Sequence, residues 1–105
     1  MPISRPAVML ATLAGFTLPL AASPANAGDA KAGRQKALQC QTCHGMDGLA
    51  KIPEAPNLAG QQETYLIKSL TDYKTGARKN EMMSVVAPSL NETDIADLAA
   101  YFSSF

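Results

Sequence analysis

The chain has 105 residues, enough for one domain. Nine Lys and Arg balance nine Asp and Glu, so the formal charge is zero, which argues against nucleic acid and leaves partner choice unreadable from net charge. Two cysteines and a single histidine are too few for a zinc site, which needs about four ligands.

The first element is not part of that domain. Arg5 is a lone cation ahead of an apolar stretch from Ala7 to Ala22, with Leu10, Leu13, Phe16, Leu18 and Leu20. Ser23-Pro24-Ala25-Asn26-Ala27 follows, ending in an A-x-A cleavage pattern. Residues 1–27 therefore read as a secretory signal peptide and residues 28–105 as the mature, periplasmic domain. The stretch is short for a membrane span, contains Pro19 and ends in small residues; the alternative is an uncleaved N-terminal anchor. Removing Arg5 from the nine cations leaves eight against nine carboxylates in the mature part, near −1. A domain this small gains from a staple or a cofactor to supplement its core.

Asp29 to Gln39 is helical in composition, with Asp29 as N-cap. Ala30, Gly33, Ala37 and Cys40 fall on one face, while Lys31, Arg34 and Gln35 lie elsewhere. Gly33 costs helix stability, so another helix is expected to cross close to it.

Cys40-Gln41-Thr42-Cys43-His44 comes next, a C-x-x-C-H pattern that marks c-type haem attachment. Two thiols one helical turn apart share a face and can form thioethers with two vinyl groups on one side of a porphyrin. His44 then lies beneath the iron as its proximal ligand. A thioredoxin-like pair would sit in a βαβ pattern, which is absent. A disulfide remains an alternative but leaves the chain's one histidine unexplained.

Gly45, Gly48, Pro53 and Pro56 then punctuate a loop through Gly60, placed to fold around the proximal side, with Leu58 able to set an apolar side chain on the ring. Helical spacing resumes at Gln61 to Thr75 through Leu66, Leu70 and Tyr73, widened by Ile67, and Gly76 stands where a glycine terminates a helix. A polar stretch, Arg78 to Met83, leads to Pro88. A last helix runs from Asn91 to Ser103, with Asn91 as N-cap, Asp94 completing a capping box, and Ile95, Leu98, Ala99 and Phe102 as its apolar stripe; Tyr101 sits at the edge of that stripe. No strand alternation appears, so the fold class is all-α.

One iron position remains for a sixth ligand. Without a second histidine the candidates are methionine, lysine or an open site. A thioether is soft and neutral and raises the potential. Met46 is too close to His44 to cross to the opposite face; Met82 and Met83 are far enough along the chain, although a methionine is often core filling.

The arrangement resembles class I c-type cytochromes, particularly small bacterial ones related to cytochrome c553 and to single domains of cytochrome c4. The resemblance covers essentially all of residues 28–105. It rests on C-x-x-C-H near the start, on Pro56-Asn57-Leu58-Ala59-Gly60, on Tyr73-Lys74-Thr75-Gly76-Ala77-Arg78 and on the helix from Asp94 to Phe102. It implies a small class I fold, three main helices and loops wrapped around one covalently bound haem. It also implies that the Pro56 carbonyl accepts a hydrogen bond from His44. The family's methionine comes five residues after the arginine, which carries the axial role to Met83 rather than Met82, although Ser84 follows where many members have proline. The resemblance also pairs Gly33 with Tyr101, or with Phe102, where the first and last helices cross. Cytochromes c′ do not fit, because their attachment motif lies near the C-terminus.

The expected function is a periplasmic electron carrier rather than an enzyme, with one haem iron cycling between ferric and ferrous states on His/Met ligation. It would dock transiently with redox proteins through the edge near Cys40 and Cys43, rimmed by Lys51, Lys68 and Lys79 unless these are merely solvated. The alternatives are a haem-bearing subunit of a larger oxidoreductase, an open-site ligand-binding haem protein and a non-haem thiol redox protein.

Overall fold

Asp29 starts the first helix as expected. In a computed structural model that describes residues 1–20 and 27–105, its carboxylate accepts from the backbone N–H groups of Lys31 and Ala32, at 2.9 and 3.3 Å. Helix α1 (Ala30–Lys36) then tightens into a 3₁₀ turn, Ala37–Gln39, rather than running on to Gln39 as α-helix. Helix α2 (Gln41–His44) is a single turn. A loop with Gly45, Gly48 and Gly60 at positive φ leads to α3 (Glu63–Thr75), which begins two residues later than its apolar spacing suggests and ends on Gly76 in the left-handed conformation, φ 85°. Only glycine adopts that conformation without strain.

Helix α4 (Met83–Val86), followed by a 3₁₀ turn at Ala87–Ser89, lies in the stretch expected to be irregular. Its start is set by Asn80, whose side-chain oxygen accepts from the N–H groups of Met82 and Met83 at 3.0 and 3.1 Å, the geometry of an N-cap. Helix α5 (Glu92–Ser103) opens with the expected capping box. Asn91 Oδ1 accepts from the Asp94 N–H at 2.7 Å, and the Asp94 carboxylate accepts from the Asn91 N–H at 2.9 Å. The described residues contain no strand, and none of their helices is long and apolar enough to cross a membrane. Residues 1–20 have no regular secondary structure, and Leu10, Leu13, Phe16, Leu18 and Leu20 are exposed. Ser23, Pro24, Ala25 and Asn26 of the expected cleavage stretch lie outside the described residues.

Helix α5 is the centre of the core. It buries Ile95, Leu98, Ala99, Tyr101 and Phe102 and packs against α1 on one side and α3 on the other. A β-carbon on Gly33 would lie 2.0 Å from the Asp97 carbonyl oxygen and 2.8 Å from Tyr101 Cβ. The small residue in α1 therefore faces Tyr101, not Phe102. Tyr101 is inside the core rather than at its edge, because α1 covers that flank. Gly28 makes a second such approach, with its hypothetical Cβ 1.9 Å from the Ala96 carbonyl oxygen.

Charge locks the same crossing. Asp97 is 5% exposed; its carboxylate accepts from Lys36 Nζ at 2.6 Å and from the Asp29 N–H at 2.9 Å. Lys36 also pairs with Asp94 at 3.0 Å. The Lys36 bond first, and the Asp29 N–H second, hold the Asp97 carboxyl below the usual carboxylate range. Asp94 is lowered by its Asn91 backbone bond and then by Lys36, while Lys36 is raised from 10.5 by Asp97 and then Asp94. The two depressed carboxyls stabilise the fold above their unfolded values, near pH 4, and that contribution is lost as pH falls through their folded values. The raised Lys36 contributes below its ordinary value and loses its share as pH rises through the folded one.

Two outcomes are expected. Gly33→Ala should lower stability by about 1–3 kcal/mol, despite a helix-propensity gain of up to ~1 kcal/mol, as measured by chemical denaturation of the mature holoprotein. Thermal midpoints should fall on acidification below about pH 4, and Asp97→Asn should shrink that acid sensitivity.

Candidate functional site

The C-x-x-C-H residues sit where the 3₁₀ turn after α1 passes into α2. Cys40 and Cys43 are half-buried and not joined to each other. Burial first, and the neighbouring Cys43 second, push the Cys40 thiol up to about 11. A thiol-exchange site draws its attacking cysteine down towards neutrality; Cys40 is shifted the other way. Among the described residues no group of three or more His, Cys, Asp or Glu is placed to hold a metal ion.

His44 is 8% exposed. Its Nδ1 donates to the Pro56 carbonyl oxygen at 2.9 Å. A carbonyl only accepts, so Nδ1 carries a proton, and Nε2 is the nitrogen that can offer a lone pair to a metal. The loop makes this bond possible by folding back on α2. The Lys51 N–H donates to the Cys43 carbonyl at 2.8 Å, and the Gly48 carbonyl accepts from the N–H groups of Leu58 and Ala59 at 2.7 and 3.0 Å. Asn57 Oδ1 accepts from the Ala50 N–H at 2.7 Å. A Cβ at Gly48 would lie 2.6 Å from the Ala59 nitrogen, so glycine is required for the two sides of the loop to meet.

Five side chains, Cys40, Met46, Leu58, Ile67 and Leu70, pack against the core cluster but are only partly covered; Ile67 lines a groove with Ala27 and Ala96. Met83 opens α4 and is half-buried, whereas Met82 is 60% exposed. Helix α4 packs on α3. Of the expected lysines, Lys51 is next to the motif and lies 3.8 Å from Asp47, Lys68 is engaged with Asp72 at 2.5 Å, and Lys79 is exposed. The donor set fits a covalently held haem: two unpaired thiols a turn apart, a buried imidazole with one nitrogen fixed and the other available, and apolar side chains only partly covered by the core.

Two contributors are missing from the expectations. The Tyr101 hydroxyl donates to the Met46 carbonyl at 2.5 Å, tying α5 to the residue two past His44; nothing local in sequence links positions 55 apart. Asn80 sets the start of α4, and its sequence signal was available, since an asparagine two and three residues ahead of a helical turn is a capping pattern.

A family model described as cytochrome c matches residues 30–105. Cytochrome c4 of Pseudomonas aeruginosa is 47% identical over 89 residues, covering 85% of this chain and 44% of that protein. Cytochrome c-554(548) of Halomonas halodenitrificans is 48% identical over 81 residues, covering 74% of this chain and 98% of that protein. The crystal structure of reduced recombinant cytochrome c4 from Pseudomonas stutzeri superposes with a TM-score of 0.70 at 45% identity, over 74% of this chain and 46% of that one. The chain thus spans less than half of these cytochrome c4 relatives and nearly all of the cytochrome c-554(548).

Tyr101→Phe removes one hydroxyl without changing ring packing. It should cost about 1 kcal/mol of stability, and hydrogen exchange should speed up in the Gly45–Gly48 turn more than in α3.

Proposed function

We propose, from the premise that this chain belongs to the cytochrome c family, that it is an exported electron carrier with His44 and Met83 as axial ligands of its haem iron. Members of the family carry covalently attached haem c and transfer electrons without acting as enzymes, and Cys40, Cys43 and His44 fit the attachment motif. When bound, the haem supplies an iron that alternates between ferric and ferrous. The chain's own residues govern how easily it does so.

One observation carries the reading. The buried His44 has its Nδ1 proton committed to Pro56, which orients the ring and makes Nε2 a stronger donor. Of the methionine pair, Met83 is half-buried and Met82 is 60% exposed, which favours Met83 as the second ligand. The Asn80 cap fixes the backbone at Met83, so a thioether held there keeps one position through both oxidation states. Ligands that do not move cost little reorganisation when an electron passes. Leu58, in the loop that carries Pro56, and Leu70 on α3 are partly covered apolar residues that would help keep water from the ring, and the Cys40–Cys43 edge would be the side left for brief docking with a redox partner. Export is supported by the apolar, exposed leader and its A-x-A ending, and haem attachment to C-x-x-C-H outside the cytoplasm agrees with it.

The test is spectroscopic. The reduced mature protein should carry covalent haem and fail to bind carbon monoxide at neutral pH. Met83→Ala should bind it stoichiometrically and show a lowered potential, while Met82→Ala should leave the spectrum nearly unchanged. His44→Ala should abolish stable holoprotein. Rapid, stoichiometric carbon monoxide binding by the unsubstituted protein would overturn the sulfur ligand.

A further inference from the structure

Met83 stands on a segment with little apolar anchorage of its own. Helix α4 contains no buried residue, and the enclosed apolar side chains nearest to it, Ala87 and Leu90, come only afterwards. An open cavity of about 620 Å³ separates the end of α3 from this segment. Tyr73, Lys74 and Gly76 line it on the α3 side, and Asn80, Ser84 and Pro88 line it on the other. The segment therefore bridges a gap rather than lying flat on the helix beneath it.

Polar contacts hold the bridge at both ends. At its start the Asn80 N–H donates to Ser84 Oγ at 2.9 Å, and the Ser84 N–H donates to the Asn80 carbonyl at 2.9 Å, closing the turn that the Asn80 cap begins. At its far end Lys74, in the last turn of α3, reaches across. Its Nζ donates to the Leu90 carbonyl and, at 3.4 Å, to the Pro88 carbonyl. Among the described residues no backbone N–H takes either carbonyl, and no carboxylate forms an ion pair with Lys74. A lysine near a helix end commonly satisfies the last carbonyls of its own helix. Lys74 instead satisfies carbonyls of the turn that follows α4, and so ties that turn to α3.

We propose that Lys74 is a positioning residue for the sulfur ligand: by pinning the Pro88–Leu90 turn to α3 it holds the Met83 segment where its ligand role requires, with the Asn80–Ser84 turn as the opposite pin. The inference rests on the Met83 reading above. A segment with few buried apolar contacts opens locally at a fraction of the free energy of global unfolding. Its polar pins then set how often it opens, and a hydrogen bond from a charged donor is stronger than one between neutral groups. An outside ligand can take the sixth iron position only while the backbone that carries Met83 is displaced. Lys74 therefore governs that exchange, whereas global stability rests mainly on the α1–α5 crossing, which Lys74 does not join.

Two readouts on ferric mature holoprotein test it. One is the rate at which saturating imidazole displaces the sulfur ligand, followed by stopped-flow absorbance. The other, which does not depend on ligation, is amide hydrogen exchange at Ala87 and Leu90, whose N–H groups donate to the Met83 and Ala87 carbonyls. Lys74→Met keeps the chain length without a donor. It should raise both, the displacement rate about tenfold, and leave exchange in α1 unchanged. Lys74→Arg, still a charged donor, should restore both. Lys68→Gln, which breaks the Lys68–Asp72 pair on the same helix, should change neither. Unchanged amide exchange in Lys74→Met overturns the pin, and faster amide exchange with an unchanged displacement rate overturns its role in ligation. Unsubstituted protein that takes imidazole as fast as Met83→Ala has no sulfur ligand at Met83, which is a failure of the ligand reading and is scored before any Lys74 variant. If Lys74→Met yields no holoprotein, the shorter, uncharged Lys74→Gln replaces it under the same criteria. Loss of holoprotein in both overturns a role confined to the Met83 segment.

Discussion

The hydrogen bond from His44 Nδ1 to the Pro56 carbonyl is where the chain's local and long-range organisation meet. For it to form, twelve residues of loop must turn back on α2, and each turn has an identifiable cause. Gly45 and Gly48 adopt positive φ. The Gly48 carbonyl takes two N–H groups from Leu58 and Ala59, and Lys51 returns to the Cys43 carbonyl. The bond fixes the tautomer of a buried imidazole and so decides which nitrogen is left for iron. The proposed ligation thus depends on backbone geometry as much as on the identity of residue 44.

That loop would have nothing to lie against without the α1–α5 crossing. The crossing is tight because Gly33 and Gly28 present no side chain to the α5 backbone, and it is held by Asp97 at the centre of a small polar cluster. Such a cluster adds less to net stability than its short distances suggest, since desolvation of the buried carboxylate offsets the attraction. Its stronger effect is on register: Asp29, Lys36 and Asp97 can satisfy one another at only one relative position of the two helices. Tyr101 extends the same crossing to the site through the Met46 carbonyl. The frame and the proposed iron ligand are therefore coupled by one hydroxyl.

The apolar residues divide accordingly. Leu66, Leu90, Ile95, Leu98 and Phe102 are enclosed, while Met46, Leu58, Ile67 and Leu70 are only partly covered. Apolar surface left partly open is costly in water, and a flat apolar ring that covers part of it adds to stability. The cofactor belongs to the folding energetics of so small a domain as well as to its chemistry.

The sequence by itself determined whatever depends on near neighbours. Spacing within five residues specified the attachment motif; Asp29, Asn91 with Asp94, and Gly76 marked helix ends because caps act over one turn; apolar periodicity placed α3 and α5 and the all-α class. Gly33 announced a close crossing because a glycine inside a helix is otherwise unfavourable. Tertiary structure decided what joins residues far apart. The 3₁₀ break after Lys36 and the short α4 in a stretch that reads as irregular depend on packing and on a single cap at Asn80. The depth of Tyr101 depends on a helix some seventy residues earlier in the chain, and its tie to Met46 and the Asp97 cluster depend on which side chains meet once the chain has closed. Periodicity reports which face of a helix is apolar; it carries no information about which partner covers that face, and that pairing is what positions the groups on which the proposed electron transfer rests.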